Sequence, residues 1–239
     1  RWKIGKITPR EYVDIGYVFD SSFNQLDSRA SSLRKKLNKN GAEFIIAYFD
    51  EGVQGKGDKY GLLHEEDHYH EILPLVREVI DKKDIAVITK SQFQKNTITV
   101  LFPNDQYLKQ AIQTGRFFEL RHGKHRNKVL PAEAAMASDM VIGHVVGATA
   151  GLEAALTGKR CVLLNHYDFK GANVDIFKCA DILYKDIDSA LKAIAAYRNG
   201  DEKYKNLGDW STIIEQLDPF CDGKSSTRLR NFIETKILV

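Results

Sequence analysis

Apolar residues along this 239-residue chain follow two rhythms that alternate. Where they recur every third or fourth position among charged neighbours they mark one face of a helix. Where they run without interruption they mark a strand covered on both faces. The first helix is expected over 28–37, with Ala30, Leu33 and Leu37 on one stripe, and the first strand over 43–49, where Phe44-Ile45-Ile46-Ala47-Tyr48-Phe49 leaves no polar gap. Helix and strand then alternate: a helix over 71–82, in which Pro74 must kink the axis or open a turn, a strand over 85–89, a helix over 104–113 and a strand over 116–120. A short helix over 131–137, with Pro131 at its first turn, leads to a strand over 140–143. A helix over 149–157, stopped by Gly158, leads to a strand over 161–164. A last short strand is expected over 182–184, and helices over 189–197, 210–216 and 225–237.

Strands that alternate with helices call for crossover connections and hence parallel pairing. The expected fold is therefore α/β, a doubly wound parallel sheet of Rossmann-like type with a helical carboxy-terminal tail. Ligands of such a sheet lie outside the carboxyl ends of its strands. The break Asn38-Lys39-Asn40-Gly41 divides a lead-in segment, 1–41, from the domain proper, 42–239. Gly52, Gly55, Gly57 and Gly61 mark a long connection after the first strand.

Composition narrows the class. Apolar residues make up 43% and charged ones 28%, which suits a packed core rather than a disordered chain. A net charge of +3 is too even for a protein that lives on a phosphate backbone, so nucleic acid is not an expected partner. Three cysteines, Cys161, Cys179 and Cys221, with no C-x-x-C pair, suit a reducing cytoplasm better than a disulfide framework. No apolar stretch is long enough for a membrane span. The first residue is Arg1 rather than Met, as expected of a piece of a longer chain.

The most informative chemistry lies between the strand over 140–143 and the helix that follows. Small residues from Gly147 to Gly151 let a backbone approach a ligand closely. The unpaired N–H groups of the helix start, together with the positive end of its dipole, favour a phosphate there. Gly147, Ala148, Thr149 and Ala150 would line that seat, with the Thr149 hydroxyl as a further donor. Glu153, about one turn in, could accept hydrogen bonds from the paired hydroxyls of a sugar. Tight packing accounts for the same small residues equally well, and no G-x-G-x-x-G fingerprint is present.

The run Ala137-Ser138-Asp139-Met140-Val141-Ile142-Gly143, followed by Ala150-Gly151-Leu152-Glu153-Ala154-Ala155-Leu156-Thr157-Gly158-Lys159-Arg160 and the strand Cys161-Val162-Leu163-Leu164, resembles the carboxy-terminal domain of GT-B glycosyltransferases. It is most similar to bacterial enzymes of capsule and other surface-carbohydrate biosynthesis. The tail Leu217-Asp218-Pro219-Phe220-Cys221-Asp222-Gly223-Lys224, with Arg228 beyond it, is similar to the ends of such proteins. The resemblance implies a nucleotide-sugar donor, with its diphosphate on the helix start and its ribose on Glu153, and a glycan or lipid-linked acceptor. It also implies a general base in an amino-terminal lobe outside this chain, no metal or other cofactor, and a cytoplasmic site of action, peripheral at the inner membrane face. Two departures stand out: Arg160 replaces the usual Pro after Gly-Lys, and Val145 stands where many retaining members carry a second Glu.

Further donor contacts are expected at the strand ends. Lys90 and Gln92 follow the second strand, and Arg121-His122-Gly123-Lys124-His125-Arg126 the third, so that Lys90, Arg121 and His122 would balance diphosphate charge. His144 follows the fourth and would contact base or phosphate. Each reads equally as an ordinary surface or capped residue. The segment His64-Glu65-Glu66-Asp67-His68-Tyr69-His70-Glu71 has two histidines at i, i+4 spacing but lacks the H-E-x-x-H order, and it reads as a solvated helix start. Cys161 reads as core. Two other functions fit the same fold: a non-hydrolysing sugar-nucleotide epimerase, and a silent nucleotide-binding or scaffold domain of a polysaccharide-assembly protein.

Overall fold

A computed structural model describes residues 12–50, 52, 64–92, 97–121 and 129–236. Six strands form one sheet: β1 (Phe44–Phe49), β2 (Ile85–Lys90), β3 (Phe117–Glu119), β4 (Met140–His144), β5 (Arg160–Leu164) and β6 (Leu183–Tyr184). Their order is β3-β2-β1-β4-β5-β6 and every pairing is parallel. The chain builds outward from β1 in one direction and then crosses to β4 and builds in the other, so the order reverses between β1 and β4. That is the switch point at which such sheets open a crevice.

Ten helices connect and cover the sheet among the described residues: α1 (Asp27–Lys39), α2 (Glu65–Asp81), α3 (Ile98–Leu101), α4 (Gln106–Gln113), α5 (Pro131–Ala137), α6 (Thr149–Leu156), α7 (Ala172–Asp175), α8 (Ile187–Arg198), α9 (Ile214–Leu217) and α10 (Ser225–Lys236). Strand residues alternate between two cores. Ile45, Ala47, Val141, Cys161 and Leu163 pack with Leu33 and Leu37 of α1 and with α5 and α6. Ile46, Tyr48, Met140, Ile142, Val162 and Leu164 pack against α2, α4 and α8. Burial on both faces is why β1 shows no polar alternation.

Two expectations are corrected here. α1 is part of the domain and not a lead-in: Leu37 is fully buried, and Arg34 Nη2 reaches Asp139 Oδ1 at 2.6 Å while Asp139 Oδ2 accepts from Ile45 N–H at 2.9 Å. Residues 12–26 are likewise held by the carboxy-terminal tail. Buried Asp218 accepts from the N–H groups of Tyr17, Phe220 and Cys221, and Asp20 Oδ1 accepts from Ser225 Oγ at 2.5 Å. Secondly, α2 begins six residues earlier than the pattern suggested and runs through Pro74, so the His-Glu-rich segment is helical.

Candidate functional site

β4 ends at His144, and Val145 and Val146 lead to Gly147, whose φ of +73° is a left-handed conformation that glycine adopts without strain. Ala148 is the N-cap of α6 and gives no side-chain hydrogen bond. The first backbone bond of good length is Leu152 N–H to Ala148 O at 2.9 Å, whereas Ala150 N–H reaches Gly147 O only at 3.5 Å. Gly147 and Thr149 are exposed, and the Thr149 hydroxyl points back to Gly147 O at 3.3 Å. The first turn of α6 thus opens at the switch point with amides that no side chain caps. Gly151 serves a different purpose from the one its position suggested. A Cβ there would meet Leu163 Cδ2 and Trp210 ring carbons at 3.1 Å, so the glycine lets α6 lie close on the sheet and does not face a ligand.

Glu153 does not present its carboxylate to the crevice. It is 4% exposed, Tyr17 Oη donates to its Oε1 at 2.7 Å, and Ala132 N–H donates to its Oε2 at 2.8 Å. Both oxygens are occupied, which corrects the expectation that they are free for ribose hydroxyls. Burial pushes the carboxyl above its usual range against these two hydrogen bonds and the charge of Lys90, and burial beside Glu153 raises the Tyr17 phenol in turn. The Glu153 side chain ties α6 to the start of α5 and to the amino-terminal segment.

Of the expected cation clamp, the described members are engaged within the fold. Lys90 is 5% exposed, its Nζ donates to Ser91 O at 3.2 Å, and its charge acts on Glu133 and Glu153 beneath the α5/α6 layer. Arg121 is exposed and held by neighbours, with Nε donating to Glu119 Oε1 at 2.8 Å and Nη2 to Thr99 Oγ1 at 2.9 Å. His122, Gly123, Lys124, His125 and Arg126 lie outside the described residues, as do Gly55, Gly57 and Gly61. Gln92 N–H donates to Asp50 Oδ1 at 2.9 Å.

On the α2 face of the same edge the chain gathers a buried polar cluster. His144 Nε2 stands 3.1 Å from Glu71 Oε2, and His166 Nδ1, from the turn after β5, stands 3.3 Å from Glu71 Oε1. Tyr48 Oη donates to Glu71 Oε2 at 2.5 Å and lies 3.4 Å from His144 Nε2. Burial pushes the Glu71 carboxyl upward, but the hydrogen bonds from His144, His166 and Tyr48 outweigh it and hold the group well below the usual carboxylate range. His68, one helical turn before Ile72, is fully buried, and burial pushes its imidazole below the usual range. The solvated helix start is therefore corrected for His68 and Glu71, while His64 and His70 are exposed as expected.

Sequence reasoning named His144 and missed Tyr48, Glu71 and His166. Signals for each were present. The apolar stripe Ile72, Leu75, Val76, Val79, extended back by one turn, takes in His68 and Glu71. Tyr48 carries the one hydroxyl in the β1 run, and His166 sits just past a strand's carboxyl end. At the opposite edge of the sheet a groove of about 330 Å³ lies between Phe44, Lys82 and Arg198, at the amino ends of the strands.

No family model matches the sequence, and no curated protein matches it. Among solved structures the fold is shared with the wall teichoic acid polymerase TagF. A histidine-to-asparagine variant of TagF superposes with a TM-score of 0.56 at 13% identity, over 95% of this chain and 52% of that one. The same variant soaked with CDPG gives 0.54 at 14%, and the polymerase itself 0.51 at 13%, with the same coverage. The chain thus spans about half the length of the solved chains it matches. Among the described residues no helix is long and apolar enough to cross a membrane.

Proposed function

We propose that this chain is the donor-binding lobe of a GT-B type glycosyltransferase that takes a nucleotide-sugar in surface-polysaccharide assembly. The observation that carries the reading is the uncapped, exposed start of α6 at the β1/β4 switch point. Its amide N–H groups lack a side-chain cap and stand at the positive end of the helix dipole, beside the switch point. The diphosphate would rest over Gly147, Ala148, Thr149 and Ala150. As the bond from sugar to phosphate breaks, charge grows on the departing nucleotide, and oriented amides that need not reorganise stabilise it. Glu153 then works as a positioning residue that holds the α6 start against α5. His144, anchored by Glu71, would border the seat.

The shared fold with a wall teichoic acid polymerase supports this reading. A second lobe would bring the general base and a glycan or lipid-linked acceptor, at the cytoplasmic side of a membrane. Calorimetric titration with UDP, GDP, CDP and TDP tests the reading, with saturable binding of at least one expected. Thr149→Glu places a carboxylate where a helix dipole favours it, so the fold is kept, but it competes with phosphate and should weaken that binding at least about tenfold. If none of the four binds, the scaffold reading replaces this one.

A further inference from the structure

The cluster on the α2 face offers a chemistry that the donor reading does not call on. Glu71 comes from α2, His144 from the end of β4 and His166 from the turn after β5, and one ligand-type atom of each lies within 4.8 Å of the other two. The carboxylate oxygens stand 3.1 and 3.3 Å from the two imidazole nitrogens. Around a tetrahedral ion with bonds of ~2.1 Å, neighbouring ligand atoms are ~3.4 Å apart, so the two carboxylate–imidazole spacings are compatible with a coordination shell as well as with hydrogen bonds. Tyr48 Oη, donating to Glu71 Oε2 at 2.5 Å, orients the carboxylate as the outer partner of a metal ligand does.

A purely hydrogen-bonded cluster is the competing account, and the ligand count at the two imidazoles separates it from a metal site. His166 Nε2 is buried without a partner, and His68, whose ring lies 6.1 Å from that of Tyr48, has neither nitrogen bonded. An ion held through His166 Nδ1 would leave these atoms as they are, so they call for ordered water in either account. Imidazole and carboxylate together suit zinc and its neighbours, whereas magnesium and calcium sites are built from oxygen. We propose that Glu71, His144 and His166 bind one divalent transition-metal ion of the zinc type, reached from solvent past the half-buried His166 ring. The proposal stands on these side chains alone and does not depend on the donor reading.

The test uses the whole chain, stripped with a chelator and then titrated with Co²⁺ followed by visible absorption. Saturation at about one ion per chain is expected, with ligand-field bands that Zn²⁺ abolishes by displacement. His166→Ala should weaken uptake by about 100-fold or more, and His70→Ala, on the exposed side of the same helix, should leave it unchanged. X-ray absorption on the zinc-loaded parent, which needs no variant to fold, should count two imidazole ligands. Any of three results overturns the proposal: no saturable uptake by the parent, equal affinity in a folded His166→Ala chain, or a spectrum with fewer than two imidazoles.

Discussion

Glu71 and Glu153 are buried glutamates near the same edge of the same sheet, on opposite faces, and they have opposite characters. Glu153 receives one phenol and one backbone amide, and burial lifts its carboxyl above the usual range. Glu71 faces two imidazoles and a phenol, and those donors overcome a comparable burial and hold the carboxyl low. The difference lies in what the neighbours can give. At Glu153 two hydrogen bonds and the charge of Lys90 do not outweigh burial, whereas at Glu71 three side-chain hydrogen bonds, two of them from imidazoles, do. Glu153 is accordingly a tie between helices, and Glu71 the centre of a buried polar cluster.

The largest effect should come from Glu71→Ala, which removes the common partner of His144, His166 and Tyr48 inside the fold. A loss of about 3 kcal/mol in urea unfolding is expected, and a loss as small as that of an ordinary surface change would place Glu71 outside the network. Glu153→Ala should follow at about 2 kcal/mol, because it leaves the Ala132 N–H and the Tyr17 hydroxyl without an acceptor. Glu153→Gln should cost well under about 1 kcal/mol, since its amide can accept from Ala132 and donate to the Tyr17 oxygen. Nucleotide affinity should survive Glu153→Gln, which keeps the tie, and fall in Glu153→Ala, which loosens the α6 start. A folded Glu153→Gln chain that no longer binds would restore the ribose role.

The smallest effect, and the one that separates the two glutamates most directly, is in pH. The folded-state value of Glu153 is raised, so its contribution is fully present below the unfolded carboxyl value of ~4.3 and is lost as pH rises through the folded value. The folded-state value of Glu71 is depressed, so its contribution is present above ~4.3 and is lost as pH falls below it. Measured as unfolding free energy against pH, the parent should lose ground to Glu153→Gln on the alkaline side of that point. It should lose ground to Glu71→Gln on the acid side. Parallel curves for the two variants would remove the contrast.

Much of the fold was legible because burial on both faces writes itself into local pattern. The β1 run, Pro131 at the first turn of α5 and the span of β4 all fell where the apolar rhythm put them. The turn into α6 was legible too, because a strand end, a left-handed Gly147 and a helix start are consecutive in the chain. Glu153 was misread because helical spacing gives its face and not its partners. One of those partners, Tyr17, is 136 positions away. Lys90 was misread because a cation at a strand end looks solvated until α5 and α6 are packed over it.

By itself the sequence determined the alternation of strand and helix, and with it a parallel doubly wound sheet, since each apolar run can be buried in few ways and crossovers have one favoured hand. Only the tertiary structure decided which polar side chains meet. Glu71, His144, His166 and Tyr48 belong to four elements and share no local pattern. Their chemistry exists only once β1, β4 and β5 lie side by side with α2 across them, because hydrogen bonds and metal coordination act over a few ångströms of space and not along the chain.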